Sequence, residues 1–151
     1  MTAYDERFRV LYGSAYRVGY RILGDRADAE DVAQETLARA FLAWRRVAEH
    51  ADPWVARVAA NLAIDKWRRR ARAPKPDAAE ATVDPNVAER LDLVRALRAL
   101  PRRQREVVVL RYVADQSEET VADALGCSVG SVKTHASRGL AALRTRFQAG
   151  G

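Results

Sequence analysis

Apolar residues recur every three or four positions along most of the chain, and strand-like alternation is almost absent. Phe8, Leu11, Tyr12, Ala15, Val18 and Ile22 share one face of a helix over Tyr4–Leu23, which Gly24 and Asp25 end. A second helix over Ala27–Val47 turns Ala33, Leu37, Ala40, Phe41 and Trp44 inward. A loop at Val47–Pro53 follows, with Asp52 as an N-cap and Pro53 in the first turn of the next helix. That third helix, Trp54–Arg72, buries Val55, Val58, Ala59, Leu62 and Trp67. Two more helices, Val87–Leu100 and Arg102–Val113, lead to a helical hairpin. Ser117 suits the N-cap of its first helix, Gly126 the left-handed stop, and Ser128 the N-cap of its second. Val129, Val132, Ala136, Leu140 and Leu143 form the apolar back of that last helix. The pattern predicts an all-α protein.

Residues 73–88 interrupt the periodicity with Pro74, Pro76 and Pro85 among small and polar residues. The stretch is acidic, whereas the blocks on either side are basic. Two small helical domains, 1–72 and 89–151, joined by a flexible linker that sets reach, are the organisation this predicts.

Charge narrows the partners. The chain of 151 residues carries a net charge of +6, supplied almost wholly by Arg. Arg favours phosphate contacts and bidentate contacts to base edges, although an anionic membrane surface or acidic protein would also attract it. The front of the last helix, with Ser131, Lys133, Thr134, Ser137 and Arg138, is small, polar and basic enough to enter a major groove; an ordinary surface hairpin would look similar. Lys66–Arg70, containing Trp67, suits phosphates and base stacking, or a solvated helix end. Asp28, Asp31, Gln34 and Glu35 open the second helix, where the helix dipole alone accounts for acids; they also offer a docking stripe for a basic partner. Tyr12, Tyr16 and Tyr20 are spaced for helix packing rather than for stacking on bases.

Other chemistries find little support. The single Cys127 excludes an intrachain disulfide and a cysteine zinc cluster, and reads as a small buried filler. The two histidines, His50 and His135, lack partners at catalytic spacing, and no glycine loop for phosphate occurs. No catalytic residue, metal site or cofactor is predicted. The absence of a long apolar run or signal-peptide core predicts a cytoplasmic protein.

Four segments, GDRADAEDVAQETLARAFLAWRRV (24–47), PWVARVAANLAIDKWRRRAR (53–72), LRALPRRQREVVVLRYVADQSEETVADALG (97–126) and CSVGSVKTHASRGLAALR (127–144), resemble in this order the bacterial RNA polymerase sigma factors of the extracytoplasmic-function group. The resemblance covers nearly the whole chain. It implies an alternative sigma factor that binds core polymerase, directs it to promoters and helps melt the minus-ten region. Residues 1–72 would be a sigma-two domain and 89–151 a sigma-four domain. It further implies that Asp28, Asp31, Gln34 and Glu35 dock on the beta-prime clamp helices. The loop before Trp54 would receive a flipped base, and Trp54, Arg57, Asn61, Lys66, Arg68 and Arg69 would contact minus-ten DNA. Ser131, Lys133, Thr134, Ser137 and Arg138 would read the minus-thirty-five element. The implied partners are core polymerase, including its beta flap, promoter DNA and an anti-sigma factor, with no membrane and no small-molecule substrate. Val132-Lys133-Thr134-His135 is also similar to LuxR-type output domains, which makes a stand-alone helix-turn-helix regulator the alternative; the first helical block has no place in one.

Overall fold

Every regular element is helical among residues 3–72 and 85–149, the part of the chain that the computed structural model describes. Helix α1 (Ala3–Leu23) packs against α2 (Arg26–Leu42) and α4 (Ala51–Arg72), with the single turns α3 (Trp44–Val47) and a 3-10 turn (Ala48–His50) between the last two. The contact faces are rich in alanine. Ala15, Ala29, Ala33, Ala40, Ala59 and Ala63 are fully buried beside Leu11, Val18, Ile22, Leu37 and Val55. Small side chains let the helix axes approach closely.

The second block comprises α5 (Pro85–Ala99), α6 (Arg102–Val108), α7 (Glu118–Leu125) and α8 (Val129–Ala149). Val107, Val108, Val109 and Leu110 are all buried, so this stretch is enclosed on every side. Helix α6 widens into a π turn at Val109–Val113, where the Ala114 N–H donates to the Val109 carbonyl at 3.0 Å. Arg111 closes the turn by donating to the Gln116 carbonyl at 2.6 Å. Helix α8 lies so close to α6 that a Cβ at Gly139 would stand 2.6 Å from Val108 Cγ2. Gly139→Ala is therefore expected to destabilise the protein by about 1 kcal/mol. Overpacking against a stiff, buried valine costs about 1–3 kcal/mol, offset by about 1 kcal/mol of helix propensity. Denaturant unfolding measures it, and a more stable variant would show that the two helices separate freely.

The structure corrects several expectations. The predicted loop 47–53 is a 3-10 turn running into α4, so Asp52 and Pro53 lie inside the first turn of that helix. The helix predicted over Ala27–Val47 breaks at Ala43 (φ −101°). Arg7 pins this corner: it donates to the Ala48 carbonyl at 2.7 Å, pairs with Asp52 at 3.1 Å and lies 5.7 Å over the Trp44 ring. Phe41, assigned to the inner face, is 63% exposed while its neighbour Ala40 is fully buried. The predicted linker is shorter at its end, because α5 starts at Pro85; residues 73–84 lie outside the described residues.

The two blocks touch. Buried residues of both belong to one continuous apolar cluster, where Ala60 and Ile64 of α4 meet Val109 and Leu110. At its edge the Glu106 carboxylate, 8% exposed, receives Arg102 at 2.8 Å and Arg103 at 3.4 Å from its own helix, and Arg57 of α4 at 3.2 Å.

Candidate nucleic-acid interface

The hairpin α7–α8 is fixed at each joint by short-range chemistry. The Ser117 hydroxyl accepts from the Thr120 N–H at 3.1 Å and so caps α7. Gly126 ends that helix at φ 67°, ψ 38°, a conformation costly for residues with a Cβ. The Cys127 N–H then reaches back to the Ala122 carbonyl at 3.0 Å, satisfying a helix-end acceptor. The Ser128 hydroxyl accepts from the Ser131 N–H at 3.0 Å and starts α8. Helix α8 thus leaves the turn in one direction, with Val132 and Ala136 buried behind it.

Its front carries the predicted residues together. Lys133, Thr134, Ser137 and Arg138 are exposed and Ser131 is half-buried. Thr134 donates its hydroxyl hydrogen to the Gly130 carbonyl at 3.0 Å, which leaves its oxygen as an acceptor toward solvent. Lys133 lies 3.8 Å from Glu118, a loose pair that holds its stem toward α7. Beside this front, Arg111, Tyr112, Lys133, Ser137 and Arg144 line a cleft of about 310 Å³. The sequence reading missed Arg111 and Arg144, because the π turn that brings Arg111 to α8 leaves no periodic signature.

On α4 the predicted minus-ten residues divide. Trp54, Arg57, Asn61 and Arg68 follow one stripe at helical spacing. Asn61 is exposed, Trp54 packs partly against the core, and Arg57 points into the junction with Glu106. Lys66 lies on the α2 side of the helix, 3.0 Å from Asp31 and 3.6 Å from Asp28. Arg69 is exposed and Arg68 half-buried. Trp67 is only 8% exposed, so its ring serves the core and offers no face to a base.

The acidic stripe also divides. Asp31, Gln34 and Glu35 are exposed on α2, and Glu35 holds Arg39 at 2.8 Å. Asp28 is 4% exposed. Its N–H donates to the Asp25 carboxylate at 2.9 Å, and its side chain faces Lys66 on α4, which removes it from the docking surface. An apolar groove that the sequence reading missed lies beside the stripe. Phe8, Tyr12, Gln34, Leu37, Ala38, Phe41 and Leu42 line about 430 Å³ there, with Leu42 85% exposed. The described residues hold no cluster of three or more His, Cys, Asp or Glu able to bind a metal, and no helix long and apolar enough to cross a membrane.

Comparison with known proteins fits both halves of this arrangement. Residues 8–73 match the family described as Sigma-70 region 2, and residues 90–143 match Sigma-70, region 4. The chain is 34% identical to an RNA polymerase sigma-E factor of Streptomyces avermitilis, over 96% of this chain and 85% of that protein. It is also 34% identical to the ECF RNA polymerase sigma factor SigL of Mycobacterium tuberculosis, over 96% and 86% respectively. The fold is similar to that of the sigma factor RpoE in complex with the anti-sigma factor NepR from Bartonella quintana, with a TM-score of 0.58, 21% identity and 98% of both chains covered. It is likewise similar to CnrH in complex with the cytosolic domain of CnrY, with a TM-score of 0.62, 23% identity and 99% and 90% covered. The matches leave the stand-alone LuxR-type reading without support. With a region-two match on the block that carries the acidic stripe and a region-four match on the block that carries the capped hairpin, the chain belongs to the extracytoplasmic-function group of RNA polymerase sigma factors and is an alternative sigma factor.

Proposed function

We propose that the protein grips a promoter at two points while held on core polymerase. Helix α2 docks on a basic polymerase surface through Asp31, Gln34 and Glu35, with the groove at Phe41 and Leu42 taking apolar side chains beside them. The beta-prime clamp helices are the part of core that this surface fits, and the beta flap is assigned to the second block. Helix α4 meets the minus-ten strand through Trp54, Arg57, Asn61, Lys66, Arg68 and Arg69, with the corner before α4 receiving an extruded base. Extruding a base costs a few kcal/mol, so polymerase contacts must hold the open strand. Helix α8 reads the minus-thirty-five element through Ser131, Lys133, Thr134, Ser137 and Arg138. An anti-sigma factor is the natural negative partner, as the anti-sigma factor NepR is bound to its solved relative RpoE.

The observation that carries this reading is the front of α8, where a capped helix start presents exposed Lys133, Thr134, Ser137 and Arg138 with no apolar residue among them. The test is transcription in vitro with core polymerase, followed by sequencing of the start sites. Promoter-specific starts that need the added protein support it. Tight sequence-specific duplex binding by the protein alone, unchanged by core, would sink it.

Arg138 supplies a finer prediction. Arg138→Ala should weaken promoter binding by about 1–3 kcal/mol and relax preference at one base position, as expected for a bidentate contact to guanine. A loss spread evenly over all sequences would instead mark Arg138 as a phosphate contact.

A further inference from the structure

Glu118 opens α7 with a cation beside each of its two carboxylate oxygens. Arg111 Nη2 stands 4.0 Å from Oε1, and Lys133 Nζ stands 3.8 Å from Oε2. Arg111 is itself fixed, because it donates to the Gln116 carbonyl at 2.6 Å and lies 5.6 Å over the Tyr112 ring. The Arg111 and Glu118 side chains are 27% and 30% exposed, whereas that of Lys133 is 67% exposed. The carboxylate also sits in the first turn of α7, where the helix dipole favours an anion. Glu118 is thus an anchored negative charge beside the front of α8, and Lys133 is the member of the trio with room to move.

We propose that Glu118 is a positioning residue that makes Lys133 a reader of base edges rather than a phosphate anchor. The inference rests on the reading of α8 given above. An ammonium has three donors. With one directed at Glu118, the others remain for DNA. The O6 and N7 atoms of guanine are neutral acceptors, so Lys133 can serve them while it stays beside the carboxylate. A phosphate is an anion. Bound to the same ammonium, it would lie within about 7 Å of the Glu118 carboxylate. That is inside the screening length of about 8 Å at physiological salt, so the two negative charges repel. Phosphate contacts fix orientation but carry no sequence, whereas base contacts carry it. The carboxylate therefore penalises the contact without sequence content and leaves the one that has it. Without Glu118, Lys133 would follow the phosphate backbone on any duplex.

The test uses the full chain with core polymerase on promoter duplexes randomised across the minus-thirty-five element, with the bound sequences counted. Glu118→Gln keeps the shape of the side chain and removes its charge. It should flatten preference at one base position, separate from any that Arg138→Ala affects. It should also raise binding to a scrambled element about threefold, with a salt dependence steeper by about one unit than that of unmodified protein on the same core. Glu118→Gln combined with Lys133→Met should match Lys133→Met alone, because the carboxylate acts only through that lysine. Lys133→Met, at an exposed position that does not bear on folding, gives an independent reading: it should lose preference at the same base position. An unchanged sequence profile in Glu118→Gln with helicity intact by circular dichroism overturns the role. So does a gain that persists in the double variant, or a loss spread evenly over all sequences in Lys133→Met. Should unmodified protein with core select no sequence at this element, the reading of α8 itself fails, and the role of Glu118 falls with it.

Discussion

Arginine at both Asp31 and Glu35 is expected to abolish capture by core polymerase while leaving helical content unchanged. Both side chains are more than half exposed, 64% at Asp31 and 55% at Glu35. Each makes a surface ion pair, Asp31 with Lys66 and Glu35 with Arg39, and such pairs contribute about 0.2–1 kcal/mol. The stability cost is accordingly small. The binding cost is large, because a basic partner meets two bases where it met two acids, and like charges placed together at an interface cost several kcal/mol. Affinity should fall by roughly a hundredfold or more, read by fluorescence polarisation against labelled core. Retained affinity would move the docking surface from the stripe to the apolar groove at Phe41 and Leu42. Charge reversal at exposed Glu49 on the 3-10 turn is the control, with no loss expected.

The largest stability effect should come from Leu110→Ala. Leu110 is fully buried in the π turn, and the space left where it meets α4 beside Ala60 and Ile64 is only about 10 Å³. A truncation in so tight a site leaves a cavity that neighbours fill poorly, and costs about 2–5 kcal/mol. That is a large part of the 5–15 kcal/mol typical of a domain. Chemical denaturation read by circular dichroism should show it, with Leu42→Ala, at an 85% exposed position, shifting stability by no more than about 0.5 kcal/mol. Equal effects of the two would mean that the junction core does not stabilise the protein.

The hairpin was the most legible part of the chain, because each of its joints is decided within a few residues. Ser117, Gly126 and Ser128 do in the structure what their side chains dictate locally: two caps and a left-handed stop. The exposed front of α8 followed directly from helical spacing. Phe41 was misplaced because periodicity put both it and Ala40 on the inner face, and the close packing of α2 admits only the small Ala40. The corner at Ala43 has no Gly or Pro to announce it. It is bent by Arg7, whose partners Ala48 and Asp52 lie more than 40 positions away. Asp28 and Asp31 look alike in sequence, but only the fold shows that one is covered by α4. Arg21 pairs with Asp115, and Arg90 donates to the Tyr20 and Arg21 carbonyls, across 69 to 94 positions, a distance over which no local pattern carries information.

Lys66 gives the first block a property that neither of its surfaces has alone. One ammonium stands between α4, which carries the proposed minus-ten residues, and the carboxylates of Asp28 and Asp31. Any phosphate that draws Lys66 away leaves Asp31 more strongly negative toward a basic partner on α2. Conversely, a basic partner that takes over Asp31 releases Lys66 toward the phosphate. By thermodynamic linkage each event strengthens the other by the same factor. In the proposed two-point grip, a single shared charge therefore couples docking through α2 to strand contact through α4, with no movement of the backbone required.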